Sequence, residues 1–194
     1  MAWSLFARDI VAVRIPIVLA VTWTGLLLFV SLLHLSVFDF TRPQVWFWIG
    51  AYAVYPLWGA WLFRRTTSAD SAHRRAPDAA MLAVAVLCLA FGGALLVAPD
   101  AMVKAWPWAV SPLLANIYAG PFLAYGASAL MVAREARPTA RRIVTASMLA
   151  FALLALVASL LHERLFHFDG PAAWAWFVAF AAASAVLALR LRVS

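Results

Sequence analysis

The sequence predicts an all-α membrane protein with six transmembrane helices, arranged as three tandem helical hairpins that are parallel repeats. Three observations predict it: an extreme apolar composition, six long uncharged stretches and an alternating distribution of basic residues. Of the 194 residues, 66% are hydrophobic and 12% are charged, whereas a soluble domain usually has roughly 45–50% apolar and about 25% charged residues. A chain of this size cannot hide so much apolar surface from water, so the lipid bilayer is its expected solvent.

Six stretches are long enough to cross the hydrocarbon core, which requires roughly 18 or more residues with few or no charges. None of them contains Asp, Glu, Lys or Arg. Because backbone polar groups in lipid must be satisfied within the segment, each stretch is predicted to be a helix. The six spans are residues 15–33, 44–63, 79–98, 112–133, 143–161 and 171–189.

The basic residues predict the orientation of these spans. The N-terminus and the segments 64–78, 134–142 and 190–194 contain 12 of the 15 Lys and Arg residues. The other three connections contain only Arg42, Lys104 and Arg164. Basic residues accumulate on the cytoplasmic side, so both termini are predicted to be cytoplasmic in a multi-pass protein of a bacterial inner membrane. The net charge of +7 is thereby assigned to topology and to contacts with membrane lipids, and nucleic acid is not an expected partner.

A corner sequence occurs twice. "SLLHLSVFDFTRPQVWFW", residues 31–48, returns as "SLLHERLFHFDGPAAWAW", residues 159–176. With an offset of 128, ten of the 22 positions in 31–52 are identical without a gap. Four spans separate the copies, so the first and last hairpins have the same orientation, unlike inverted repeats.

The middle hairpin is a more distant relative of the other two, with Pro112 in the place of Pro43. Residues 1–194 are therefore predicted to form a single transmembrane domain. Its hairpins cover approximately residues 11–65, 79–136 and 141–194.

Two histidines end outward-going helices at equivalent positions of the repeated corner, His34 and His162. Imidazoles at such a position either cap the helix carbonyls or converge to hold a haem iron or to hydrogen-bond a quinone. His167 and Asp39 add polar groups on the same side. The spacing matches no dense metal motif, so no metal site is predicted.

Aromatic residues surround the same corners. Phe38 and Phe40 are expected to fold the connection onto the bundle. Six tryptophans are expected to form an aromatic belt at the outer interface, where an indole finds both an apolar bed and polar partners. They are Trp46, Trp48, Trp106, Trp108, Trp174 and Trp176.

The fourth span carries polar groups within the bilayer, Asn116 and Tyr118, followed by Gly120 and Pro121. An internal proline frees a backbone carbonyl and permits a kink. This span is either an ordinary kinked helix or the wall of a cavity. The complete set of candidate ligand-binding residues is His34, His162, His167, Phe38, Asp39, Phe40, Trp106, Trp108, Asn116 and Tyr118.

The chemistry missing from the spans also bears on function. Ion pumps and proton-coupled carriers usually need ionisable groups inside the membrane, and the six spans have no Asp, Glu, Lys or Arg. The sequence contains no phosphate-binding glycine loop and no metalloprotease signature. No catalytic residue is therefore predicted, and an enzyme is not the expected class.

The segment "WPWAVSPLLANIYAG", Trp106 to Gly120, resembles uncharacterised bacterial multi-span integral membrane proteins. These share a Trp-Pro-Trp-x-x-Ser/Thr-Pro-Leu motif, and the "LLH", Phe-x-Phe and following Pro and Trp resemble their flanking hairpins. The resemblance covers most of the chain. It implies the multi-span architecture and carries no catalytic residue, because the family has no established activity.

The leading functional hypothesis is a non-enzymatic accessory or binding subunit that presents an aromatic and histidine-bearing extracytoplasmic surface to a partner protein, lipid or amphiphile. One alternative is a membrane redox subunit that binds haem or quinone through His34 and His162. A second alternative is a facilitator for a neutral or amphiphilic solute, with the fourth span lining the path.

Overall fold

The computed structural model describes residues 13–65 and 76–193, and within them the chain forms α-helices and short 3-10 turns without a strand. The all-helical class predicted from the sequence is confirmed. The helices are α1 (Arg14–Leu33), α2 (Pro43–Arg65), α3 (Ala79–Val97), α4 (Pro99–Lys104), α5 (Pro112–Val132), α6 (Pro138–Leu161) and α7 (Pro171–Val193).

Five of the described helices are long and apolar enough to cross a membrane: α1, α3, α5, α6 and α7. The sixth long helix, α2, has 23 residues but contains four tryptophans, two tyrosines and two prolines. Indole and phenol groups carry a polar N–H or O–H, which lowers the hydropathy of the helix without adding charge. The five apolar helices indicate a multi-pass membrane protein.

The helix ends differ from the predicted spans mainly where prolines and arginines lie. Helix α6 begins at Pro138, five residues before the predicted span, because proline suits the first turn of a helix. Helices α2 and α7 continue through terminal arginines, including Arg65 and Arg192, whose long side chains can reach polar surroundings. The short helix α4 was not predicted, since six residues are too few to give a periodic pattern.

The long helices pack as three pairs, α1 with α2, α3 with α5, and α6 with α7, and α5 also packs along α1. Glycines allow the closest approach, between α3 and α5. A Cβ atom on Gly92 would lie 3.0 Å from the backbone nitrogen of Leu123, and one on Gly126 would lie 3.1 Å from that of Leu89. Small residues at such interfaces are typical of helices that associate in lipid.

The α6–α7 pair joins the rest of the bundle chiefly at its two ends. At one end, Arg190 donates to both carboxylate oxygens of Asp78, over 2.8 and 3.1 Å. The same carboxylate caps α3, and the Asp78 backbone N–H donates to the carbonyl of Ala133. At the other end, the N–H of His167 donates to the carbonyl of Pro107 over 2.8 Å. Between these ends α5 and α6 meet mainly where Tyr125 packs against Phe151 and donates to the carbonyl of Ser147, and a cavity lies beside this contact.

Candidate functional site

The two histidine corners have the same backbone geometry. His34 and His162 are the residues after α1 and α6, with φ/ψ angles of −118°/37° and −116°/28°. Each is followed by a 3-10 turn, over Leu35–Val37 and Glu163–Leu165, and then by an extended phenylalanine. The first corner is defined here as residues 34–42 and the third corner as residues 162–170.

Side-chain contacts repeat as well. The indole N–H of Trp48 donates to the hydroxyl of Ser31 over 3.1 Å, and that of Trp176 donates to Ser159 over 2.9 Å. Both hydroxyls donate in turn to the carbonyl four residues earlier in their own helix, over 2.7 Å. Each corner thus has a serine whose one hydrogen is already used. The corners therefore share hydrogen-bond geometry as well as backbone shape.

The imidazole of His34 contacts a side-chain amide of α5. Its Nε2 lies 3.0 Å from Oδ1 of Asn116. The amide nitrogen of Asn116 donates to the carbonyls of Leu95 and Leu96, over 3.0 and 3.2 Å. These carbonyls belong to the last turn of α3, where helix geometry leaves them without an intrahelical partner. Because the amide nitrogen serves both carbonyls, the amide oxygen is the acceptor and His34 Nε2 carries the hydrogen.

A cavity of about 510 Å³ lies beside the third corner, between α5 on one side and α6 and α7 on the other. Its volume is within the range of about 300–1,000 Å³ that ligand pockets occupy. Nine of its sixteen lining residues are Phe, Trp or Tyr, and none is Asp, Glu, Lys or Arg. Helix α5 contributes Ile117, Tyr118, Pro121 and Phe122 to one wall of the cavity.

An aromatic cluster forms the end of this cavity. Trp106 is 5% exposed and stacks between Tyr118, at 5.4 Å and 13°, and Phe91, at 5.9 Å and 24°. Trp108 meets Trp176 edge to face at 5.0 Å. The indole nitrogen of Trp106 is buried without an acceptor among the described residues, an arrangement that costs free energy.

The predicted aromatic belt is therefore only partly present. Trp46 and Trp174 are 60% and 61% exposed, as residues at a lipid interface should be. Trp106 and Trp108 instead pack inward, because the middle connection folds over the ends of α5 and α7. An inward cluster and an outward belt require the same residue types, and composition does not distinguish them.

Four of the candidate residues come together in the cavity lining: Trp106, Trp108, Tyr118 and His162. His34 and Asn116 pair with each other and are absent from that lining. The two histidines thus occupy equivalent corners, but only one of them faces the cavity.

The remaining four candidates lie in the first and third corners, outside the cavity lining. Asp39 accepts hydrogen bonds from the Thr41 hydroxyl, the Thr41 N–H and the Arg42 guanidinium, which together lower the pKa of its carboxyl. Phe38 and Phe40 contact each other at 6.4 Å. The side chain of His167 is exposed. None of these four lines the cavity.

Sequence reasoning missed most of the α6 and α7 walls. Phe151, Ala155, Ala158, Ser159 and His162 follow the i, i+4, i+7, i+8, i+11 spacing of one helix face. That periodicity was available in the sequence. It was hidden because residues 143–161 are apolar on nearly every side of the helix, so an inward stripe does not stand out from a lipid-facing one.

Among residues 13–65 and 76–193, no group of three or more His, Cys, Asp or Glu side chains is placed to hold a metal ion. The chain matches no protein-family model, no curated protein and no solved structure.

Proposed function

We propose that this protein is a non-enzymatic binding protein of a bacterial inner membrane, and that it holds an amphiphile in the aromatic cavity beside His162. The observation that carries the proposal is the cavity itself. It combines the volume of a ligand pocket with an aromatic, uncharged lining and a single imidazole. Apolar burial would supply most of the affinity, and the few polar groups would fix the orientation of the ligand.

The proposed topology has six spans in three tandem hairpins, with α2 as the sixth span and both termini in the cytoplasm. The excess of basic residues in four of the seven segments outside the spans supports this orientation. The matching geometry of the two corners supports a repeat of the first and last hairpins. With this orientation the cavity opens near the outer leaflet, where an amphiphile can enter from the membrane.

The resemblance to bacterial multi-span proteins supports the proposed architecture and says nothing about the ligand. A partner protein is compatible with it, since an accessory subunit can bind an amphiphile and present it to a complex. The solute-facilitator alternative needs a polar path through the bundle, and the lining of this cavity is largely apolar.

The redox alternative receives less support from the placement of the histidines. A haem held by both imidazoles would require His34 to leave Asn116, whose oxygen accepts its Nε2–H. A quinone needs only one hydrogen-bond donor, and it therefore falls within the amphiphiles that the cavity suits. An absorption spectrum of the purified protein separates these cases, because only haem gives a Soret band.

The proposal is tested by equilibrium binding of labelled octanophenone, an aromatic ketone with a short alkyl chain, to the protein in lipid nanodiscs. We expect about one molecule per protein above the amount taken up by empty nanodiscs. Ala155→Trp fills the cavity from α6 and should abolish this excess. Ala150→Trp is the matched control, because Ala150 is exposed on the same helix outside the cavity. Uptake equal to that of empty nanodiscs would reject the proposal.

A further inference from the structure

We infer that the amphiphile carries an uncharged carbonyl group, and that its oxygen accepts a hydrogen bond from the imidazole of His162. This inference rests on the proposed function, because it concerns the ligand of the same cavity. The first and third corners have nearly identical backbone geometry. Their histidines, however, have different surroundings.

At the first corner the chain provides the acceptor itself. His34 donates to an amide oxygen of Asn116, and the tryptophan and serine beside it form their own hydrogen bond. At the third corner the tryptophan and serine bond in the same way. The side chain of His162, however, has no hydrogen-bond partner among the described residues, and this exposed residue lines the cavity. No Asn or Gln is among the residues that line the cavity beside His162.

Two other polar groups of the lining, Ser159 and Trp176, are already hydrogen-bonded, whereas the indole N–H of Trp106 has no acceptor among the described residues and is a second donor in the lining. The single hydroxyl hydrogen of Ser159 is donated to the carbonyl of Ala155, and the indole N–H of Trp176 is donated to Ser159. The imidazole is assigned as the donor because its counterpart at the first corner, His34, donates to an amide oxygen. A carbonyl oxygen bound to His162 would take the place that the amide oxygen of Asn116 has beside His34.

The lining also sets the charge of the ligand group. No Asp, Glu, Lys or Arg borders the cavity, so an ionised group would lose its hydration without gaining an opposite charge. A fatty-acid carboxylate and a quaternary amine are disfavoured for this reason. A ketone, ester, amide or quinone carbonyl is neutral and accepts a hydrogen bond. Lipid esters and quinones both carry such a neutral carbonyl group.

The test compares octanophenone with octylbenzene, which has a methylene group in place of the carbonyl. The binding of each probe to the wild-type protein in nanodiscs is measured by equilibrium dialysis. The binding of each probe is corrected for its uptake by empty nanodiscs. We then expect the ketone to bind roughly 3- to 10-fold more tightly than the hydrocarbon, which is the gain that one hydrogen bond gives. His162→Phe should remove this preference, because it keeps an aromatic ring and loses the donor. His162→Gln, which restores an N–H donor, should recover part of it.

His34→Phe is the matched control at the equivalent corner and should leave the ketone preference unchanged. Each variant is first checked for monodisperse elution and for cooperative thermal unfolding. Equal binding of ketone and hydrocarbon to the wild-type protein, or a preference that survives His162→Phe, would overturn the carbonyl inference and leave the cavity proposal intact. No saturable binding of either probe would overturn both.

Competition then separates the two sources of a carbonyl. An uncharged monoacylglycerol tests the lipid ester, and a short-chain alkyl benzoquinone tests the quinone. At least one of them should displace labelled octanophenone from wild-type protein and lose potency in His162→Phe. If neither competes better than the sodium salt of a fatty acid of equal chain length, the inference that the carbonyl is neutral is wrong.

Discussion

The imidazole of His34 and the side-chain amide of Asn116 form one hydrogen bond of 3.0 Å that joins the end of α1 to the second turn of α5. The same amide satisfies two carbonyls at the end of α3. Asn116 therefore connects three helices at one end of the bundle while being only 4% exposed. The side chain of the equivalent His162 makes no such connection among the described residues, and His162 lines the cavity instead.

We predict that Asn116→Ala destabilises the protein by about 1–3 kcal/mol, since three hydrogen bonds between helices are lost and the carbonyls of Leu95 and Leu96 remain buried. His34→Ala should cost less, because it removes one of the three. The double variant should be hardly less stable than Asn116→Ala alone. Thermal and denaturant unfolding in mild detergent give these differences, and additive losses in the double variant would show that the two side chains are not coupled.

Two adjacent glycines of α3 should respond in opposite directions to alanine. A Cβ atom on Gly92 meets the backbone of Leu123 in α5, whereas one on Gly93 meets nothing within 4 Å. Gly92→Ala should therefore cost about 1–3 kcal/mol through overpacking. Gly93→Ala should be neutral or stabilising by roughly 0.5–1 kcal/mol, because glycine is unfavourable inside a helix. Equal melting temperatures for the two variants would contradict the close α3–α5 packing.

The stability of the connection between α5 and α6 should depend on pH through Glu135. Burial raises the pKa of its carboxyl, but the Arg137 guanidinium and backbone N–H outweigh burial, so the pKa lies below its usual value of 4.5. A depressed folded pKa means that the stabilisation is present above the unfolded pKa and is lost as pH falls through the folded value. Stability should thus fall as pH drops below about 4.5.

Glu135→Gln should be less stable than wild type at neutral pH and should show a shallower loss of melting temperature below about pH 4.5. Asp39→Asn is the control variant, since the Asp39 carboxyl also has a lowered pKa but lies exposed in a turn. This substitution should change the melting temperature less than Glu135→Gln does. An identical acid dependence in wild type and Glu135→Gln would sink the assignment.

The proposed orientation is tested with single cysteines in a Cys88→Ser background. Ser36→Cys and Glu163→Cys lie in the first and third corners and should react with a membrane-impermeant maleimide in intact spheroplasts. Thr139→Cys, at the start of α6, should react only after the membrane is opened. All three native side chains are exposed, so access to the reagent depends on the side of the membrane. Labelling of the two corners from opposite sides would refute the parallel hairpins.

Much of the fold could be predicted because it follows from one-dimensional patterns. Uncharged stretches of bilayer length anticipated the long helices within a few residues, and Pro43, Pro112 and Pro171 marked helix starts. The histidine pair was visible as a repeat. What the sequence did not contain was the asymmetry between its copies. His34 meets Asn116 and His162 meets a cavity because α5 packs closely on α1 and loosely on α6, and that difference arises from tertiary packing.

Trp106 is a second case in which tertiary packing decides a placement that the sequence does not determine. A tryptophan at the end of a span is expected at the lipid interface, but here the middle connection folds it between Tyr118 and Phe91. Sequence position fixes its depth in the bundle and leaves its direction open. Three-dimensional packing decides whether such a residue belongs to a belt or to a binding cavity.

The most direct test of the central claim is the small-molecule content of the protein after gentle purification from its native membrane. Mass spectrometry of the extract should find a neutral, carbonyl-bearing amphiphile near one molecule per wild-type protein. The same amphiphile should be depleted in Ala155→Trp and retained in Ala150→Trp. Identical extracts from wild type and Ala155→Trp, or a Soret band that disappears in His34→Ala and His162→Ala, would contradict an amphiphile in the His162 cavity.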